Sequence, residues 1–128
     1  MNKVIFLLLS FLLFGEARYW NYEFEFELKK GEVKQFQVID RARQKLLNFS
    51  WNLYINSELI TITNFDGFPY QNILYLDYNR NSFKKKLYGK NALLMIEFVE
   101  FLKKEKIARF KLFVKNSKVE EYKPNEVW

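Results

Sequence analysis

Neither cysteine nor histidine occurs anywhere in the 128 residues. Without cysteine there is no disulfide to staple the chain, so its stability must come from packing. Without histidine it lacks the commonest general base and the commonest transition-metal ligand. Together the two absences remove the imidazole and thiolate donors of zinc and copper centres. They also exclude Cys–His and Ser–His–Asp nucleophilic chemistry. Glycine is scarce as well. Its four copies stand apart at positions 15, 31, 67 and 89, so no glycine-rich loop cradles a phosphate. No cofactor is expected from this set of residues.

Long apolar runs are missing too. The longest, residues 4–14, is broken only by Ser10, but a spanning helix needs about 20 apolar residues. It follows the basic start Met1-Asn2-Lys3 and precedes Gly15-Glu16-Ala17, which has small residues at both positions a signal peptidase reads. Basic start, apolar middle and small-residue end form the three-part pattern of a secretory signal peptide. The expectation is therefore a signal over residues 1–17 and an exported domain over residues 18–128, periplasmic or secreted. The short signal has a bacterial form, and no cysteine stands at the cleavage site to take a lipid. Later apolar stretches are cut by Glu97 and Glu100, so no membrane span is expected after cleavage. The signal holds one cation and one anion, Lys3 and Glu16, so the net charge of +6 is unaffected by its loss.

What is present is aromatic and alternating. Phe, Trp and Tyr make up 20% of the chain, and large rings supply much buried area per residue. The positive charge is read as a solubility device, because an exported protein rarely meets nucleic acid, and no nucleic-acid partner is expected. Tyr22, Phe24, Phe26 and Leu28 alternate with Glu23, Glu25 and Glu27, giving a strand with one apolar and one charged face. Lys30-Gly31-Glu32 reads as a turn. A hairpin there would set Phe26 opposite Phe36 and Phe24 opposite Val38, keeping both apolar sets on one face. Leu47, Phe49, Trp51, Leu53 and Ile55 mark the longest strand, and residues 59–64 return from a turn at residues 56–58. Asp66-Gly67 is a strong turn signal. Further strands are expected at residues 73–76, at 83–88 as an edge, and at 108–114.

Residues 92–102 are apolar at both parities. A strand buried on both sides is favoured. The alternative is an α+β fold with a helix at 92–104, because Glu100 and Lys104 have the spacing of a helical ion pair. The tail from Asn116 is polar and expected to fray. The resulting fold class is all-β, a single β-sandwich-like domain of seven to nine short antiparallel strands.

Candidate sites are few. Glu23, Glu25 and Glu27 form a carboxylate ladder that a hard cation would suit, though a solvated strand face needs the same residues. Asp77, Asn79 and Asn81 open like a calcium loop, but Ser82 and Tyr88 stand where that motif needs Gly and Glu. Ser82-Phe83-Lys84-Lys85 has the Ser-x-x-Lys spacing of penicillin-recognising enzymes without their companion motifs. Lys84, Lys85 and Lys86 read as protection of an edge strand. Asn48-Phe49-Ser50 is a formal glycosylation acceptor placed mid-strand. The best local candidate is aromatic: Phe65, Phe68, Tyr70, Tyr75 and Tyr78 crowd one stretch, and rings on loops at the end of a sandwich hold peptides or stack on sugars. The sequence thus points to a non-enzymatic exported domain that binds a protein or peptide. The runner-up is a module for cell-wall or surface glycan. A small carboxylate-dependent hydrolase stands third.

Overall fold

A computed structural model describes residues 20–40, 43–76 and 79–122. The signal pattern at residues 1–17, Asp77, Tyr78 and the last six residues lie outside the described residues. The fold is all-β. Its strands are β1 (Tyr22–Lys29), β2 (Lys34–Asp40), β3 (Arg43–Ile55), β4 (Glu58–Phe65), β5 (Phe68–Tyr75), β6 (Ser82–Lys86), β7 (Leu93–Leu102), β8 (Ile107–Lys115) and β9 (Lys118–Glu121). They form two antiparallel sheets, one of four strands in the order β1-β8-β7-β6 and one of five in the order β5-β4-β3-β2-β9. The apolar parity of each strand faces the other sheet. There Phe36, Phe49, Phe98, Phe110, Leu47, Leu94, Ile96 and Leu112 are buried.

Two tight hairpins build most of the five-stranded sheet. Asn56 and Ser57 at one turn, and Asp66 and Gly67 at the next, all take positive φ. That is the two-residue geometry whose twist matches a pair of antiparallel strands. The second hairpin makes β5 longer than the sequence pattern indicates, starting at Phe68 rather than Ile73. Pro69 is tolerated because β5 is an edge strand. Tyr75 N–H turns outward to the Arg80 carbonyl at 2.9 Å, so Pro69, of the same parity, lacks a donor only on the open side.

Three expectations need correction. Residues 30–32 do not close a hairpin: β1 pairs with β8, while β2 pairs with β3 and β9. The chain crosses between sheets there. Alternation dictates which side chains face the core, and the crossover satisfies it equally well. Phe26 and Phe36 still meet, at 5.4 Å, but across the sandwich. Gly31 takes φ +82 and donates its N–H to the Trp51 carbonyl at 3.0 Å. The Trp51 indole N–H donates to the Leu28 carbonyl at 2.7 Å, so one residue fastens both ends of the crossing.

The second correction concerns β7. It is a strand and the helical alternative falls, but it is fully buried on one side only. Leu94, Ile96 and Phe98 are inward and buried, while Leu93, Met95 and Glu97 are half-buried on the outer face. The third concerns the tail. Residues 118–121 do not fray; they add β9 to the edge of β2, with Val119 buried against the core.

Tyr22 packs at the margin of that core. Burial, with the Glu121 and Glu120 carboxylates beside it, raises its phenol above the ordinary value of 10.0. An unfolded chain therefore ionises Tyr22 at a lower pH than the folded one does. The stabilisation is complete below pH ~10 and is lost as pH rises through the folded value. We expect the urea midpoint of the wild type to fall more steeply between pH 9 and pH 11 than that of Tyr22→Phe.

Candidate functional site

Both open seams of the sandwich are closed by a lysine at an inward position. On one side β6 lies beside β5. Phe83, Lys85 and Leu87 share the inward parity, and the Lys85 ammonium sits 3.4 Å from the centre of the Tyr70 ring and 5.5 Å from that of Phe65. On the other side the Lys34 ammonium lies 5.3 Å from the Phe24 ring centre and pairs with Glu121. A cation over a ring face contributes about 0.5–2 kcal/mol. It also leaves a charge at the seam, where another strand would otherwise add. Lys84 and Lys86 point outward from the same edge. The basic cluster thus has the geometry of edge protection.

The β5/β6 seam gathers three of the aromatic candidates and separates a fourth. Phe68 pairs with Phe65, and Tyr70 with Thr63, on the inward parity of β5. Phe65 is 5% exposed and belongs to the core, so it is no direct contact surface. Phe68 is 65% exposed and Tyr70 42%. Tyr75 points the other way, onto the outer face beside Glu58. Tyr78 lies outside the described residues. The pattern of the sequence did not single out Lys85 or Tyr88 for this site. Tyr88 packs on Phe65 at 5.8 Å and donates its hydroxyl to Asp66 at 3.3 Å. Asp66 also pairs with Lys45 at 3.2 Å. Arg43, Lys45, Asp66 and Tyr88 line a recess of about 260 Å³ that opens from the seam towards one end of the sandwich.

The carboxylate ladder is elsewhere, on the outer face of the four-stranded sheet. Two of its three members are matched by cations on β8: Glu25 pairs with Lys111 at 3.4 Å and Glu27 with Arg109 at 2.9 Å, while Glu23 stands opposite Phe113. A bulge between Phe98 and Glu100 brings Glu100 to the same guanidinium, at 3.2 Å. These groups border an open depression of about 410 Å³. A hard cation wants converging oxygen ligands, whereas these carboxylates converge on protein cations. Acid–base hydrolysis wants two carboxyl groups in unlike surroundings across a cleft; Glu27 and Glu100 flank one guanidinium, roughly half exposed, on a sheet surface. Among the described residues, no cluster of three or more Asp or Glu is placed to hold a metal ion.

The chain matches no protein-family model, no curated protein and no solved structure. Its site must be read from its own geometry. Phe68, Tyr70 and Tyr88, each more than 40% exposed, lie around the buried Phe65 ring and Lys85. Strand addition to β5 is obstructed at both ends. Pro69 has no N–H to offer, and the Tyr75 N–H is taken by Arg80.

Proposed function

We propose that this chain is an exported, non-enzymatic binding domain that holds a protein or peptide at the β5/β6 seam. The observation that carries the reading is Phe68, 65% exposed on an edge strand and on the same face as Tyr70, whose ring Lys85 of β6 covers. Aromatic side chains in such settings anchor interfaces because they bury much area at little entropic cost. The partner offers an apolar pocket for Phe68 and acidic groups towards Lys84 and Lys86, a charge match that speeds encounter. Export rests on the residue pattern of 1–17.

Glycan binding is the less favoured reading for a specific reason. Sugar stacking needs a free ring face, and Lys85 covers that of Tyr70 at 3.4 Å. The test is a crosslinked pull-down with the form of the protein that accumulates in its own cell, whose mass also shows whether the chain is cut after Ala17. It is run against exported-compartment extract and, separately, purified cell wall. Phe68→Ala, at an exposed position, should fold normally and weaken the partner about 30-fold, corresponding to roughly 2 kcal/mol for a central aromatic contact. A partner held equally by Phe68→Ala removes the seam from the proposal. Retention on cell wall alone replaces protein binding with glycan binding.

A further inference from the structure

The two outer faces of the sandwich differ sharply in charge. On the four-stranded sheet the outward positions include Glu23, Glu25, Glu27, Lys84, Lys86, Glu97, Arg109 and Lys111. On β2, β3, β4 and β5 the register turns a different set outward. Gln35, Gln37, Gln44, Asn48, Asn64 and Gln71 form an amide half, with Ile39 and Leu46 among them. Leu53, Ile55, Ile60, Ile62 and Ile73, with Tyr75 at the edge, form a largely aliphatic half. Glu58, at one corner, is the single charged side chain on the outward parity of these four strands. On β9, at the far rim, Lys118 and Glu120 neutralise each other at 3.3 Å. In a chain that is 28% charged, so neutral a face stands apart from the rest of the surface.

One half of it is apolar. Leu53 pairs with Ile60, and Ile60 with Ile73, so three branched side chains lie in one row across three strands. Leu53 is 39% exposed, Ile55 52% and Ile73 43%. An exposed contiguous apolar patch rimmed by polar groups marks an interaction surface.

We propose that this face is covered by a second copy of the same chain, packed sheet to sheet about a two-fold axis. Three observations select that occupant. The first is charge. Each copy carries +6, so two copies repel least when their neutral faces meet and their charged faces point away. The second is self-complementarity. A two-fold interface sets a surface against itself, and a carboxamide is both donor and acceptor. The amide half therefore satisfies itself, and the aliphatic row buries against its own image; a face of like charges would do neither. The third is area. Five strands spaced about 4.8 Å, with about 3.3 Å per residue, give on the order of 600 Å² of sheet per copy. That meets the lower limit of roughly 600 Å² per partner for specific association. The dimer is correspondingly weak, with a dissociation constant on the order of micromolar. Aligned sheets cross at about 30°. This inference uses the side of β5 opposite to Phe68 and Tyr70 and is independent of the seam.

The experiment is sedimentation or light scattering on the protein in the form that accumulates in its cell. The wild type should have twice the monomer mass at ~100 µM and relax towards monomer near ~1 µM. Ile60→Lys puts a cation into the middle of the apolar row of each copy and should weaken the dimer at least 100-fold. Ile73→Lys, on the exposed edge strand, should weaken it at least 10-fold, and it serves as the second variant should Ile60→Lys lose its circular-dichroism sheet signal. Met95→Lys, on the opposite outer face, should leave the mass unchanged. A wild type that stays monomeric at ~100 µM overturns the proposal. So does a dimer that both isoleucine variants leave intact, or one that Met95→Lys breaks. A wild type isolated with a different protein seated on this face overturns it as well.

Discussion

Phe110→Ala is expected to reduce stability by about 3–5 kcal/mol, the usual cost of removing a buried ring. Phe110, on β8, is 1% exposed. Its ring touches Phe49 at 4.8 Å, Phe26 at 5.3 Å and Phe98 at 5.7 Å. Phe49 is on the five-stranded sheet, so this ring joins the two layers at the point where both are most aromatic. Large rigid rings cannot close over a ring-sized gap without leaving their own contacts, so the site relaxes poorly and the cavity persists. Nothing covalent supports the fold, because there is no disulfide. Against a total of about 5–15 kcal/mol for a domain of this size, the loss corresponds to a fall in melting temperature of roughly 12–30 °C. Thermal unfolding of Phe110→Ala beside Phe113→Ala checks it. Phe113 is on the same strand but faces outward and is half-buried. Its replacement should cost much less, and equal losses would show that the inter-sheet ring cluster is not what holds the layers together.

Trp51→Phe should cost about 1–3 kcal/mol, more than an exchange of two large rings suggests. The lost volume is modest. The greater loss is the hydrogen bond from the indole to the Leu28 carbonyl, which leaves a buried acceptor unpaired. Leu28 is on β1 and Trp51 on β3, so the bond ties one sheet to the other just where the chain crosses. Trp51 also meets Phe101 at 5.6 Å, and Phe101 stacks on Tyr54 at 3.9 Å. Beyond the fall in stability, hydrogen exchange at the Gly31 N–H should quicken, because its acceptor is the Trp51 carbonyl. A variant that loses stability while Gly31 stays protected would assign the cost to packing rather than to the crossover.

Of the five aromatic candidates read from the sequence, Phe68 and Tyr70 lie exposed at the seam, whereas Phe65 is core and Tyr75 faces the other way. The alternation through Phe68 and Tyr70 is short, but the ring density around Asp66-Gly67 marked the stretch. Lys85 was legible in principle, since it holds the same parity as Phe83 and Leu87. A lysine at an inward parity on an edge strand is a signal of seam closure. Tyr88 and Lys45 were not, because they reach the seam through Asp66, a contact made by folding. The neutral face was hidden for a related reason. Gln35, Asn48 and Asn64 read singly as ordinary polar strand positions. They become one surface only when β2, β3 and β4 lie side by side in register.

By itself, the sequence determined the all-β class, the inward residues of the main strands, the turn at residues 56–58 and the turn at Asp66-Gly67. The reason is local: side-chain direction alternates with the backbone, and turn residues tolerate positive φ, whatever the distant chain does. Only the tertiary structure decided which strands are neighbours. The apolar face of β1 was equally content beside β2 or across from it. A cross-sheet hydrogen bond from Trp51, the pairing of β1 with β8 and the capture of residues 118–121 by β2 settled the matter. The same long-range pairings separated the charges onto one outer face and left the other neutral, a property that no strand carries alone.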